Sequence, residues 1–257
     1  MNNPVVWSCG MGLNSFAVAV GLIEHGESYD LAMFADTGGE RAATYAAMPV
    51  LQEYVGRHGL PPIMRVWKKN EDNSRAITLE QDCLTRKALP SIAYGNFKSC
   101  SDQYKIRPQQ RVIKAWQPAI QAWERGEKVT MLIGFDAEEG HRMLKSYDSE
   151  KFHMRYPLVE WNWDREDCRK AVERGGMPIP AKSSCFFCPN MGTDEILDLA
   201  KTEPELMARA VTMEANAELT TIAGLGRKWK WADVLWMDEH QLKMFSDPPE
   251  QSCACID

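Results

Sequence analysis

The sequence predicts an α/β fold, a mostly parallel sheet with helices on both faces, and three observations carry that expectation. Short apolar segments alternate with longer stretches of helical periodicity through the first half of the chain. A glycine-bearing loop joins the first of these strands to the first helix. The composition, 44% hydrophobic and 26% charged over 257 residues, is that of a globular chain long enough to bury a core without disulfide staples. A disordered or fibrous protein is excluded.

Residues 4–8 (PVVWS) read as a buried strand, and residues 14–25 as a helix with Phe16, Val20 and Ile23 at helical spacing. Residues 31–35 (LAMFA) are a second strand. Residues 40–58 form a second helix, kinked or interrupted at Pro49, which has no N–H to donate inside a helix. Residues 63–67 (IMRVW) are a third strand, residues 109–125 a helix, and residues 129–135 (VTMLIGF) a further strand. Alternation of this kind gives parallel strands joined by helical crossovers. Many functions use such a fold, so it decides no chemistry by itself.

Residues 68–108 break the rhythm; they are polar and carry Cys83 and Cys100. Residues 177–192, rich in Pro, Gly and Ser, read as a loop holding Cys185 and Cys188. From Thr193 onward the pattern is mostly helical, ending in a polar tail with Pro248, Pro249, Cys253 and Cys255. We therefore divide the chain into a domain over residues 1–192, with a cysteine-bearing insertion at about 68–108, and a helical extension over 193–257. There is no internal repeat.

Net charge is −6, from 30 basic and 36 acidic residues, so a general electrostatic grip on nucleic acid is not expected. A local basic patch is compatible with that balance. The longest apolar run, Phe16 to Ile23, is too short to span a bilayer, and the start lacks the pattern of a secretory signal. A cytoplasmic protein with no membrane partner is expected. In a reducing compartment the eight cysteines stay thiols, which points to metal ligation or redox work.

The first strand runs into Ser8-Cys9-Gly10-Met11-Gly12-Leu13-Asn14-Ser15 and then directly into a helix. Small residues let the backbone approach a ligand, and free amides at a helix start form an anion site. The alternative is a tight turn capped by Asn14 or Ser15. No Gly-Lys-Ser/Thr ending follows, which disfavours a Walker-type loop. The second strand ends in Asp36-Thr37-Gly38-Gly39-Glu40, placing Asp36 and Thr37 at a carboxyl end, where open α/β sheets bind ligands. Here the alternative is an Asp/Thr cap on the second helix.

Cys185 and Cys188 form a Cys-x-x-Cys turn, a spacing used by zinc and by iron–sulfur sites. The alternative is a buried apolar pair flanking Phe186 and Phe187. Cys9 and Cys168 are assigned to packing. The five histidines have no metal spacing, and no serine-hydrolase arrangement is visible. The run from Arg227 to Trp231 (RKWKW) either stacks on unpaired bases or opens a helix whose tryptophans pack inward.

Several of these segments together resemble one family. The Gly-x-Gly-x-Asn-Ser loop and the Asp-Thr-Gly-x-Glu segment with Thr44-Tyr45 behind it look like the PP-loop nucleotide-binding superfamily. Within it, the chain is similar to the phosphoadenosine phosphosulfate reductase family. Residues 99–108 (SCSDQYKIRP) resemble that family's Cys-Cys-x-x-Arg-Lys-x-x-Pro segment. Gly134-Phe135-Asp136 with His141-Arg142 resembles its Gly-x-Arg…Arg segment, Tyr156-Pro157-Leu158-Val159-Glu160-Trp161 its Pro-Leu-x-x-Trp, and Cys185 to Cys188 its Cys-x-x-Cys. The similarity covers about residues 5–192 and is nearest to phage and bacterial members with a Gly-x-Asn-Ser loop.

The resemblance implies a PP-loop fold and an adenine nucleotide, ATP or a sulfonucleotide, held by Ser8, Gly10, Gly12, Asn14, Ser15, Asp36, Thr37 and Gly134. Lys105 and Arg142 would hold the sulfate end, with Arg107 a further candidate. It also implies a four-iron four-sulfur cluster, with zinc as the alternative, on Cys83, Cys100, Cys185 and Cys188. For the fourth position, Cys253 or Cys255, or an open three-cysteine site, stand beside Cys83. The activity implied is that of a sulfonucleotide reductase, served by a thiol or electron-donor protein and carried by a homo-oligomer. Two alternatives are an ATP-dependent sulfurtransferase acting on tRNA or DNA, and a non-catalytic nucleotide-binding protein with structural zinc. Three departures bear on the choice: Asn14 stands where the ATP pyrophosphatases of the superfamily carry Asp, Ser99 precedes Cys100 in place of a second cysteine, and the reductases' Glu-Cys-Gly-Leu-His tail is missing.

Overall fold

The computed structural model describes residues 3–70, 76–90, 92–93, 97–143 and 148–240. Its centre is a parallel sheet of β1 (Val5–Cys9), β2 (Leu31–Ala35), β3 (Ile63–Val66), β6 (Val129–Ile133) and β7 (Phe152–Arg155), in the order β3-β2-β1-β6-β7. Helices α1 (Leu13–Glu24) and α2 (Ala42–Arg57) follow β1 and β2. The insertion after β3 carries α3 (Leu79–Thr85) and a short antiparallel pair, β4 (Ile92–Ala93) and β5 (Phe97–Lys98). One helical run then passes from α4 (Ser99–Ser101) through a wider π-helical turn (Asp102–Ile106) into α5 (Arg107–Ala115), and α6 (Gln117–Glu124) leads to β6. Small helices α7 (Gly140–Met143) and α8 (Pro157–Glu160) flank β7, and α9 (Arg165–Arg174) returns to the sheet. Beyond it lie α10 (Thr193–Thr202), α11 (Pro204–Asn216) and α12 (Trp231–Glu239).

Both faces of the sheet are covered, as the alternation implied. Because strand side chains alternate, Trp7, Ala32 and Phe34 point into one core with Phe16 of α1, Leu51 of α2 and Val172 of α9. Val6, Leu31, Met33 and Val129 point the other way and pack on Ile113 of α5 and Ala119 of α6. Cys9 and Cys168 are buried in the first of these cores, as packing requires. A separate apolar cluster joins Cys83 and Tyr104 of the insertion, Phe186 and Phe187 of the 177–192 loop, and Leu199, Met213 and Trp231 of the C-terminal helices. Among the described residues, no helix is long and apolar enough to cross a membrane.

α2 runs without interruption from Ala42 to Arg57, with Pro49 on its exposed side. One local expectation needs correction. The helix expected over residues 109–125 is two helices, broken at Trp116, whose backbone is extended (φ −87°, ψ 120°). Pro118 is the reason: it cannot donate to the carbonyl of Lys114, so α5 ends and α6 begins with the proline in its first turn. Pro248, Pro249, Cys253 and Cys255 lie outside the described residues.

Candidate functional site

Strand order reverses at β1: β2 lies on one side of it and β6 on the other, which makes the crevice outside the carboxyl ends of β1 and β6 the topological switch point. The loop leaving β1 runs from Gly10 to Gly12. Met11 takes a left-handed conformation (φ 64°), uncommon for a residue with a side chain, and that side chain is fully buried in the core. Gly12 is the N-cap of α1 and supplies no side-chain cap, so neither Asn14 nor Ser15 caps the helix. The first amides of α1 are left without intrahelical acceptors.

Asn14 and Ser15 are used otherwise. Gly10 N donates to Ser15 Oγ (2.8 Å), which closes the loop on itself. Asn14 Nδ2 reaches across the switch point to Gly134 O (3.0 Å), Asp136 Oδ2 (3.2 Å) and Glu139 Oε2 (3.0 Å). An aspartate at position 14 would set a third carboxylate against Asp136 and Glu139, whereas the amide donates to both. Arg142 is buried, ion-paired with Glu139, and lies over the Phe135 ring at 4.1 Å.

Asp36 is fully buried, and its carboxylate accepts from Gly38 N (2.7 Å), Tyr45 OH (3.0 Å), Arg65 Nε (2.6 Å) and Trp67 Nε1 (3.3 Å). The Arg65 guanidinium also lies over Tyr45 and Trp67, at 5.1 and 5.3 Å from the ring centres. Asp36 therefore shapes the edge of the site by fixing these groups. It does not cap α2, whose N-cap is Arg41, held by Glu203 (2.7 Å) and Asp198 (3.0 Å).

The loop after β2 joins this edge to the cysteines. Gly38 has φ +72°, and a Cβ on Gly39 would fall 2.6 Å from the Phe187 ring, so the Gly38-Gly39 pair lets the Cys-x-x-Cys loop pack directly on the turn. Phe186 N donates to Gly39 O (2.8 Å), Arg41 N to Ser184 O (3.2 Å), and Ser183 Oγ to Gly10 O (2.6 Å). Cys185 Sγ lies 3.1 Å from Thr37 Oγ1, which lies 3.1 Å from Glu40 Oε1. Burial pushes the Glu40 carboxyl above its ordinary range, against the opposing charge of Lys105.

Thr37, Cys100, Ser101, Lys105, Cys185 and Cys188 line one small pocket with a cavity of about 20 Å³. The π-helical turn is what brings the buried Lys105 to it. Two buried polar atoms beside these thiols, Ser101 Oγ and Glu40 Oε2, have no hydrogen-bond partner among the described residues. Such atoms are uncommon in a folded protein, and they suit a polar or charged occupant. Three of the four expected metal ligands thus share a wall. Cys83 does not line it; it sits in the apolar cluster with Leu79 and Tyr104, and burial pushes its thiol up to about 12. Among the described residues, no three Cys, His, Asp or Glu side chains stand close enough together to hold a metal. Thiols as a donor type suit zinc or an iron–sulfur cluster, whereas the unsatisfied hydroxyl and carboxylate oxygens do not favour a soft metal.

The remaining expected residues divide. Ser8 and Gly134 stand buried at the carboxyl ends of β1 and β6, Gly134 with its carbonyl toward Asn14. Arg107 is exposed and paired with Asp102 (2.7 Å), away from the pocket wall. In the run from Arg227 to Trp231, Trp231 is fully buried and Trp229 packs against the same cluster, so the run opens α12 with its tryptophans inward. Glu40, Ser101 and Ser183 were not singled out from the sequence. Glu40 had a signal, its place in Asp-Thr-Gly-Gly-Glu; the serines had none, because their role comes from loops meeting in space.

Thiol reactivity follows from this arrangement. Burial pushes Cys168, like Cys83, up to about 12, whereas Cys100 and Cys185 are partly exposed. Brief iodoacetamide treatment of the native protein is expected to modify Cys100 and Cys185 and to spare Cys9, Cys83 and Cys168. Peptide mass spectrometry showing Cys83 or Cys168 labelled as fast as Cys185 would contradict the packing described. No protein-family model matches the chain, and no curated protein is significantly similar to it.

Proposed function

We propose that the protein binds an adenine nucleotide, ATP or a sulfonucleotide, at the carboxyl edge of its sheet and carries out sulfur chemistry at the adjoining thiol pocket, as an enzyme of the phosphoadenosine phosphosulfate reductase kind. One observation carries the reading. Thr37, two residues past the carboxyl end of β2 at the proposed nucleotide edge, touches Cys185 Sγ in the pocket wall, so a phosphate end there and a thiol would fall within one side chain of each other.

The geometry supports the following roles. The amides of the loop from Gly10 to Ser15 hold phosphate at the start of α1, and Asn14 keeps that loop in register with Gly134. Lys105 lines the pocket and holds the sulfate end, assisted by Arg142 once its guanidinium is shared between Glu139 and the ligand. In the reductase reaction a thiolate attacks the sulfur of the phosphosulfate. A sulfur–sulfur bond forms, the sulfur–oxygen bond breaks, and the nucleotide leaves with the electron pair. A second thiolate, from a donor thiol or an electron-donor protein, then attacks the enzyme sulfur; sulfite leaves with the electron pair of the sulfur–sulfur bond, and a disulfide remains as the oxidised product. Cys100, Cys185 and Cys188, drawn closer together on loading than they stand here, would hold an iron–sulfur cluster, or zinc in its place; such a centre would supply redox and sulfide chemistry in the first case and a structural tie in the second.

A second reading, an ATP-dependent sulfurtransferase acting on a nucleic acid, is favoured by the exposed basic face of α5. Anaerobic purification with a visible spectrum and iron, sulfide and zinc assays tests the reductase reading first. A brown protein absorbing broadly at about 400 nm, as thiolate-held iron does, is the expected result, together with sulfite release from a sulfonucleotide and a thiol. Colourless protein with one zinc and no turnover would replace it with a nucleotide-binding protein that has a structural metal.

A further inference from the structure

Residues 103–123 contain no aspartate or glutamate, although the chain as a whole is acidic. The same stretch holds four cations, Lys105, Arg107, Arg111 and Lys114. Lys105 is turned into the thiol pocket. The other three recur at helical spacing on α5, and with Gln110 they line a shallow groove on its outer face. All three cations are exposed. Arg107 is shared with Asp102, while Arg111 and Lys114 have no carboxylate partner among the described residues. The opposite side of α5 is fixed by Ile113 and Val112, which pack on the sheet, so the basic face is held outward.

We propose that this face binds the phosphate backbone of a nucleic-acid strand and leads it toward the thiol pocket. From Arg107 to Lys114 the helix rises about 10 Å, the length over which one strand of a duplex presents about three phosphates. A mononucleotide needs no row of that length. A membrane surface is disfavoured, because amphipathic helices that lie on lipid pair their cations with exposed large apolar residues, and none lines this groove. The helical run is continuous from Ser99 to Ala115, so the groove and the pocket wall are two faces of one rigid element. The inference rests on the proposed thiol-pocket chemistry only for what the strand is brought to; binding itself is independent of it.

The test is fluorescence anisotropy with labelled single-stranded RNA, single-stranded DNA and duplex DNA, without nucleotide, over a salt series. Three neutralised phosphates give a slope of log affinity against log salt of about −2 for a single strand and nearly −3 for a duplex. The double substitution Arg111→Ala with Lys114→Ala is expected to flatten that slope by about 1.4 on a single strand and to weaken binding at low salt at least about tenfold. Its melting temperature and ATP affinity are expected to match the parent, since neither residue belongs to the nucleotide edge. Failure of the nucleotide reading therefore shows in ATP affinity, and failure of this one only in oligonucleotide affinity. The proposal is overturned by no oligonucleotide binding at low salt, or by an unchanged affinity and slope in the double variant. It is equally overturned if that variant loses binding to phosphatidylglycerol vesicles while oligonucleotide binding persists. Stronger binding to RNA than to DNA, or the reverse, supports it and identifies the strand.

Discussion

Valine in place of Gly12 is expected to abolish adenine-nucleotide binding while the chain remains folded. Gly12 is extended (φ −93°, ψ −176°), a conformation open to any residue, so valine meets no backbone prohibition there. What it adds is bulk at the first amides of α1, where the proposed phosphate lies. Loss of that anion site is expected to cost at least about 100-fold in affinity, or about 2.7 kcal/mol. Gly12→Ala, which adds one methyl group, is expected to fall between the two. Titration calorimetry with ATP and with a sulfonucleotide reads the loss, and circular dichroism confirms the fold. Parent-like affinity in a folded Gly12→Val protein would remove the nucleotide from this loop.

The largest expected loss of stability lies far from that loop. Glu214 of α11 is buried, and its carboxylate accepts from Leu225 N (2.7 Å), Trp231 N (3.0 Å) and Ala232 N (3.3 Å). Two of these amides are the start of α12, where no other acceptor for them is found among the described residues, and a helix N-terminus favours a negative charge. Glu214→Ala strands three amides in the apolar cluster. At ~1–3 kcal/mol for each unsatisfied buried donor, with partial relaxation, the expected loss is about 4 kcal/mol. For a chain of this size that lowers the melting temperature by about 8–16 °C. Tryptophan emission is expected to shift to the red as Trp231 gains water. A melting temperature within a few degrees of the parent would show that the amides find other partners. Glu214→Gln, which keeps one acceptor oxygen, is expected to lose less.

Glu214 also explains how one sequence signal divides. The run of Arg, Lys and Trp ending at Trp231 reads equally well as a base-stacking surface or as a helix start, because periodicity does not say which side is wet. A single carboxylate on another helix decides it by holding the backbone of Trp231 and Ala232 inward. The basic face of α5 is the converse case. Its charges are plain in the sequence, but only the packing of Ile113 against the sheet shows that they share an outward face. Near Cys185 the sequence marks the thiols and Thr37, while the Ser183–Gly10 and Glu40–Cys185 contacts join segments some 145 or more positions apart.

By itself, the sequence determined four of the five strands of the parallel sheet, β1, β2, β3 and β6, the helices that follow the first two, and the loops at whose ends chemistry belongs; it did not mark β7, α3 or the break at Trp116. These are consequences of local periodicity and of glycine and proline geometry, which act within a few residues. Only the tertiary structure decided that Asn14 spans the switch point, that Asp36 is occupied by its own neighbours, and that Cys100 shares a wall with Cys185 and Cys188 while Cys83 is buried beside it. The physical reason is that hydrogen-bond partners and burial are properties of surfaces brought together from distant parts of the chain, and nothing local to any one segment specifies them.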